Sequence, residues 1–275
     1  MMITKYNILT TGSKYAESFR VYITENGRII SPFHDIPLYN NELHVNVVNE
    51  IPRFENAKFE INKSHPRNPI IQDIKNGKTR FVANVFPAKG FPWNYGALPQ
   101  TWEDPNVKDE KMGCAGDNDP LDVIDISTIA KKIGEVYAAK VIGCIGMIDD
   151  NECDWKVIVI DLRDEMCKSI NDIDDLKTQT PTLHQYMYQW LRDYKIPDGK
   201  PANTFLDGGE LKNKKFTMKI INECHQSWKK LMDDETIKDI SRLTKKTPQT
   251  DEETGFFTAG TKPDAALPQH VLTGV

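Results

Sequence analysis

The sequence predicts a mainly β domain of the α+β class, an antiparallel sheet or small barrel to which helices are added late. Three observations carry this. Through residue 160, period-two segments follow one another with no helical period between them, which argues against alternating βα units. Apolar residues at helical spacing begin only with Leu183, Met187, Trp190, Leu191 and Tyr194, and recur at Phe216, Ile220, Cys224, Trp228 and Leu231. No Gly-rich turn leads from a strand into a helix, so nothing in the pattern suggests a nucleotide-binding α/β unit.

In chain order, Phe19–Ile23 reads as a strand, Glu25-Asn26-Gly27-Arg28 as a hairpin turn and Ile29-Ile30 as its return. Ser31 to Pro37 is a loop. Leu43 to Glu50 alternates, with Val45, Val47 and Asn49 on one side. Residues 56–61 alternate more strongly: Ala57, Phe59 and Ile61 face one way, Lys58 and Glu60 the other. Residues 79–86 predict a further strand that carries Arg80. Pro87 to Trp102, rich in Gly, Pro and aromatics, is a long loop of a kind that is uncommon unless functional. Val136 to Ile148 predicts one or two strands, Asp149 to Lys156 is a second acidic run, and Val157–Ile160 is a strand. A single domain over residues 1–275 is expected, with 1–40 as an N-terminal extension and the Thr- and Pro-rich 240–275 as a C-terminal surface tail.

Composition excludes some function classes. A formal net charge of −5 argues against a general nucleic-acid binder, and no apolar run approaches a membrane span. Met1 to Thr11 lacks the features of a secretion signal or transit peptide, so the cytoplasm is expected. Five cysteines without a Cys-x-x-Cys pair predict reduced thiols rather than a disulfide framework. Cys114 and Cys153 are then small packed residues, although thiols so near the acidic residues would make activity sensitive to oxidation. None of the six His sits in a metal-ligand pattern.

The chemistry centres on residues 113–125, Gly-Cys-Ala-Gly-Asp-Asn-Asp-Pro-Leu-Asp-Val-Ile-Asp. In an extended chain Asp117 and Asp119 share a face, and a bend at Pro120 brings Asp122 round to them. Two carboxylates about 4 Å apart repel by roughly 4 kcal/mol at an effective dielectric near 20. Such a cluster is stable if solvated, protonated or filled by a cation. A solvated acidic turn is the plain alternative. The apolar Leu121, Val123 and Ile124 that follow favour a turn entering a buried strand, hence a cation site. Oxygen ligands point to Mg²⁺, Mn²⁺ or Ca²⁺ rather than zinc, and an EF-hand fails because Asp122 stands where its turn glycine is required.

Further motifs resemble one family. Asp117-Asn118-Asp119-Pro120-Leu121-Asp122-Val123 matches the signature of the soluble family I inorganic pyrophosphatases. Glu50-Ile51-Pro52-Arg53, Asn56–Ile61, Asn94-Tyr95-Gly96, Asp154-Trp155-Lys156 and Tyr194–Lys200 match in family order. Ser31–Pro37 and Pro99–Pro105 resemble the eukaryotic-type branch. The likeness covers roughly residues 20–235. It implies a five-stranded OB-like β-barrel with flanking helices that hydrolyses inorganic pyrophosphate to two orthophosphates with several Mg²⁺ ions, Mn²⁺ being a substitute.

By the same resemblance Asp117, Asp122 and Asp154 hold the tightest cation, with Asp122 bridging to a second. Asp149 and Glu60 serve cations that arrive with substrate, and Glu50 acts mainly through water. Asp119 is the expected general base, or else a spare metal ligand. Lys58, Arg80, Tyr95, Lys156, Tyr194 and Lys195 are expected to grip the phosphates, and Asp73 and Lys75 to support them. Phe91 stands where the family has a Tyr, which predicts changed pH dependence rather than lost activity. A homodimer is expected, with Arg53-Phe54 where the family has Arg-Trp at the contact. Two rivals remain: another Asp-x-Asp diphosphate enzyme, such as a nucleotide-sugar transferase, and a non-catalytic subunit that keeps this fold as a binding module.

Overall fold

A computed structural model describes residues 5–233 and 263–272. The first strands are β1 (Tyr6–Thr11), β2 (Arg20–Glu25), β3 (Arg28–Ile30), β4 (Val45–Ile51), β5 (Phe59–Ile61) and β6 (Ile70–Gln72). Short β7 (Ile74–Lys75) and β8 (Lys78–Thr79) pair only with each other. Next come β9 (Asn94–Ala97), β10 (Ala115–Gly116), β11 (Asp122–Asp125), β12 (Val136–Asp149) and β13 (Glu152–Asp161). Helices α1 (Ile173–Gln179) and α2 (Pro181–Asp193), short β14 (Thr204–Phe205) and β15 (Lys212–Asn213), and helix α3 (Lys214–Asp233) complete the order, with a helical turn at Gln269–Leu272.

Five strands close on themselves. The order β13-β11-β9-β4-β12 returns to β13 through the β12–β13 ladder, which is the expected barrel. Closure removes open sheet edges and satisfies each strand on both sides. The sheet is mixed rather than purely antiparallel, because β10 and β11 both run parallel to β13. A second sheet, β1-β2-β6-β5, is built from the N-terminal residues and carries β5 to the barrel.

Period two explains the packing. Along β13, Val157 and Val159 join one apolar core, which includes Ile220 and Ile221 of α3, while Ile158 and Ile160 join the other. The same split separates Val47 from Val48 and Val123 from Ile124. Strand β4 is therefore buried at every position, not on one face as its alternation suggests. The predicted strand over 79–86 does not form. After Thr79 only isolated bridges remain, Ala57 with Phe81 and Val85 with Ala88. There backbone bonds join Val82 N–H to the Asn56 carbonyl and Lys58 N–H to the Arg80 carbonyl, and the Asn56 amide adds bonds to the Val82 carbonyl at 2.9 Å and to Asn84 Oδ1 at 2.8 Å. Helices α2 and α3 form where the apolar spacing placed them.

Of the expected tail, residues 240–262 and 273–275 lie outside the described residues. In the described part, Ala265 donates its N–H to the Lys14 carbonyl, and Val271 is buried in the larger core. Among the described residues no helix is long and apolar enough to cross a membrane.

The expectation of reduced thiols is also corrected. Cys114 and Cys153, separated by 39 residues, form a disulfide, while Cys144, Cys167 and Cys224 are free. The parallel pairing that sets Gly116 opposite Cys153 brings the two together, a non-local match that no local spacing reveals.

One buried ion cluster braces the barrel away from its polar mouth. Lys131 Nζ lies 2.7 Å from Asp161 and 3.7 Å from Asp125, all three side chains being almost fully buried. Asp125 also accepts from Tyr137 at 3.0 Å. Asp161 is also paired with Arg163 at 2.6 Å, so removing Lys131 strands chiefly the buried charge of Asp125. Lys131→Ala is expected to lower the free energy of unfolding by about 3–5 kcal/mol, read from urea midpoints; a loss below about 1 kcal/mol would be typical of an exposed pair instead.

Candidate active site

Alternation along the barrel strands gathers the polar residues. On β13, Asp154 and Lys156 share the parity of Ile158 and Ile160; on β12, Asp149 shares that of Ile145 and Met147. Asp122 on β11 shares the parity of Ile124, Tyr95 on β9 that of Ala97, and Glu50 on β4 that of Val48. Each strand thus changes from apolar to polar at one mouth of the barrel. The cavity there has a volume of about 190 Å³. Asp117, Asp119, Asp122, Asp149, Asp154, Glu50 and Glu60 line it together with Lys58, Arg80, Tyr95, Lys156, Tyr194 and Lys195. Every residue expected to bind metal or substrate or to act as base is there, while Asp73 and Lys75, expected in support, do not line it.

The Asp117–Asp119 loop reaches the cavity by a different route from the expected one. It is a turn, not an extended segment. Asn118 sits in the left-handed region at φ 69°, which Asn tolerates better than most residues. Asp117 Oδ1 accepts the Asp119 N–H at 3.0 Å, and Asn118 Oδ1 accepts from the Trp102 indole at 2.8 Å. Gly116 permits the approach, since a Cβ there would lie 2.4 Å from the Glu103 carbonyl.

Basic groups are interleaved with the acids. Lys156 pairs with both Asp122 and Asp154, and Tyr95 donates its hydroxyl to Asp122. Lys195 pairs with Asp149, and Lys58 lies 2.9 Å from Glu60. Asp73 holds Arg80 at 2.9 Å, and Lys75 reaches Asp198 at 3.4 Å, which gives these two supporting residues definite partners. Glu50 Oε1 accepts the Ile61 N–H at 2.6 Å, so this carboxylate also ties β5 to the barrel. Phe91 lines the cavity with its ring centroid 5.2 Å from that of Tyr95 and 5.3 Å from that of Trp190.

Burial and like charge push protons onto the acids. Desolvation, then Asp154 and Asp119, raises Asp117 well above the carboxylate range. Desolvation raises Asp154 to about 6 against the opposing pull of Lys156. Asp119 is raised by burial although Lys63 pulls it down, and Glu50 is raised by burial and Asp122. For Lys156 burial acts to lower the pKa, but Asp122 and Asp154 more than offset it, and the ammonium is held charged.

Two residues escaped the sequence reading. Lys63 Nζ lies 2.5 Å from Asp119 and donates to the Asn118 carbonyl at 2.7 Å. Glu103 is buried, with one carboxylate oxygen accepting the Trp155 N–H at 3.1 Å and the other without a partner. Its backbone N–H donates to the Asp119 carbonyl and its carbonyl accepts from Asn118, so Glu103 joins the acidic turn to β13. Glu103 lies within the Pro99–Pro105 motif without having been assigned a role, and Lys63 has no motif; only the tertiary contacts reveal their part. Carboxylate oxygens of Glu103, Asp117 and Asp154 lie within 4.8 Å of one another. Asp122 is linked to this group through Lys156. An all-oxygen donor set with one orphaned buried oxygen fits a hard divalent cation.

Comparison with known proteins agrees with the motifs. A family model described as inorganic pyrophosphatase matches residues 47–229. An inorganic pyrophosphatase of Encephalitozoon cuniculi is 53% identical over 225 residues, covering 81% of each chain. One of Candida albicans is 48% identical, covering 86% of this chain and 82% of the relative. The solved structure of the inorganic pyrophosphatase from Schistosoma japonicum superposes with a TM-score of 0.89 at 39% identity, covering 96% of this chain and 98% of that one.

Proposed function

Because the chain belongs to the inorganic pyrophosphatase family and hydrolyses pyrophosphate to two orthophosphates, we propose that it does so with Mg²⁺ held at the barrel mouth and with Asp119 as general base. The observation that carries this reading is the meeting of Asp117, Asp119 and Asp154 with the basic side chains in one cavity, with a Glu103 carboxylate oxygen within 4.8 Å of those of Asp117 and Asp154. Asp117, Asp122 and Asp154 would hold the tightest cation, and Asp149, Glu60 and Glu50 the approaches for others. Bound cations supply charge neutralisation for the phosphates and make a nearby water more acidic.

The remaining chemistry belongs to this chain. Asp119, at the cavity edge with Lys63 beside it, accepts the proton of the attacking water. Lys58, Arg80, Lys156 and Lys195 place positive charge around the substrate oxygens, and Tyr95 and Tyr194 offer hydroxyl donors. Arg80 is oriented by Asp73 before substrate arrives, which lowers the cost of ordering it. Phe91 contributes packing against Tyr95 and Trp190, and no proton. The intact acid set argues against a non-catalytic module. Asp119→Asn keeps the shape and removes the base, so kcat for orthophosphate release is expected to fall about 10²- to 10⁴-fold with the protein still folded. A variant within threefold of the parent would reassign Asp119 to metal holding alone.

The raised Asp154 gives the site a pH dependence of definite sign. Its folded-state pKa, about 6, exceeds the ordinary carboxylate value of about 4. Without cations, stability present at low pH is therefore lost as pH rises through about 6, because the buried carboxylate must ionise. A cation reverses this, since binding displaces the proton. Mn²⁺ affinity is expected to weaken by up to about tenfold per pH unit below 6, as measured by electron paramagnetic resonance; a flat profile from pH 5 to 7.5 would contradict the assignment.

A homodimer in the cytoplasm completes the proposal. The support is an exposed aromatic face: Phe86 is 97% and Phe54 52% exposed, beside a groove that also takes in Tyr15 and Leu267. Phe54 is held out in the left-handed region at φ 65°, under the Arg53 guanidinium 4.8 Å from its ring. Light scattering is expected to give a dimer for the parent chain and a monomer for Phe54→Ser combined with Phe86→Ser. A monomeric parent would remove this part of the proposal.

A further inference from the structure

The Cys114–Cys153 disulfide joins the two segments from which the proposed cation site draws its central ligands. Cys114 precedes Asp117 by three residues, and Cys153 adjoins Asp154. Alternation along β13 turns Cys153 to the face opposite Asp154, the face of Trp155, Val157 and Val159. The bridge therefore stands behind the carboxylates rather than among them. A second cavity, of about 320 Å³, opens on that rear face and is lined by Gly116, Cys153, Trp155, Glu103 and Cys224.

The bridge adds a covalent tie to two noncovalent ones, the Glu103 contacts that join the acidic turn to Trp155 and the β11–β13 ladder that follows the turn. The β10–β13 ladder spans only Ala115–Gly116 opposite Glu152–Cys153. Across it, Asp117 and Asp154 repel each other in a desolvated setting. A covalent link between Cα atoms 5.4 Å apart holds the repelling pair at short range, and a preformed ligand set binds more tightly because less ordering remains to be done. A disulfide of this kind forms and breaks by attack of a thiolate on one of its sulfurs.

We propose that Cys114 and Cys153 are a thiol–disulfide exchange site for a low-molecular-weight disulfide and its thiol, and that closing the bridge tightens the divalent-cation site. The effect rests on the reading of Asp117 and Asp154 as cation ligands. In the reduced protein Cys114, the more exposed of the two, attacks one sulfur of the small disulfide. Its S–S bond breaks, one small thiol leaves, and a mixed disulfide forms on Cys114. Cys153 then attacks the Cys114 sulfur, forms the protein bridge and expels the second small thiol. The cysteines give up two electrons to the small disulfide, and their two protons leave on the two small thiols. Excess small thiol runs the sequence backwards.

The test uses the full chain equilibrated with glutathione disulfide or with excess reduced glutathione. Mass spectrometry scores the peptide linked through Cys114 and Cys153, and electron paramagnetic resonance follows Mn²⁺ titration. The bridged form is expected to bind Mn²⁺ roughly fivefold more tightly. That difference should vanish in Cys114→Ser and in Cys153→Ser, and the two states of the parent chain carry the comparison if either variant misfolds. No bridge under glutathione disulfide, a bridge that excess reduced glutathione leaves intact, or equal Mn²⁺ affinity in both states overturns the exchange site. Absence of Mn²⁺ binding in both states is a different failure, because it removes the cation site itself.

Discussion

Lys156 lies between Asp122 and Asp154 at the barrel mouth, and its ammonium contacts both carboxylates. Around them stand Asp117, Glu103 and Glu50, each pushed toward protonation by burial and by its neighbours. Two like charges at about 4 Å repel by roughly 4 kcal/mol at an effective dielectric near 20. Acids gathered at this density need positive charge or protons in their midst. Lys156, Lys63, Lys195 and Lys58 supply part of it from within the chain. Protons supply more, as the raised Asp154 indicates. Divalent cations and an anionic diphosphate are the natural completion of such a mixed lattice: the cations take the place of the protons, and the phosphate oxygens draw on the lysines.

The barrel makes this concentration of charge mechanically possible. Acidic side chains carried on loops alone would splay apart. Here Asp122, Asp149 and Asp154 sit on strands whose ladders close a ring. The loop that carries Asp117 and Asp119 is clamped by its own turn and by the backbone of Glu103. The Glu103 side chain extends the clamp to Trp155 on β13. The same region holds the cysteine bridge on its rear face. Opposing demands are thereby separated in space: apolar faces and a bridge behind, charge in front.

The aromatic residues link the mouth to the outer surface. Phe54, on the exposed face, donates its N–H to the Phe91 carbonyl at 2.6 Å, and the Phe91 ring packs on Tyr95 and Trp190. Trp190 stacks on Tyr194, their ring centroids 4.9 Å apart. A continuous set of contacts thus runs from the proposed dimer face to two residues of the cavity wall. Its rigidity comes from packing, since Phe91 has no hydroxyl with which to join the polar network.

Much of this was legible in the chain itself. Period two along residues 56–61 pointed to a strand because alternate residues must meet different surroundings, the apolar run 157–160 pointed to another, and the spacing from Leu183 to Tyr194 identified α2 for the matching helical reason. The crowding of Asp117, Asp119 and Asp122 pointed to a cation because repulsion over so few residues needs a cause. What the chain alone left open is non-local. Parallel pairing of β10 with β13 joined Cys114 to Cys153, tertiary contacts brought Glu103 and Lys63 to the acids, and the strand expected over 79–86 was reduced to isolated bridges. Local pattern governs which face a residue presents, because that depends on backbone geometry within a few residues. Which faces then meet is decided by strand order and closure, and those are set by the summed burial of the whole chain.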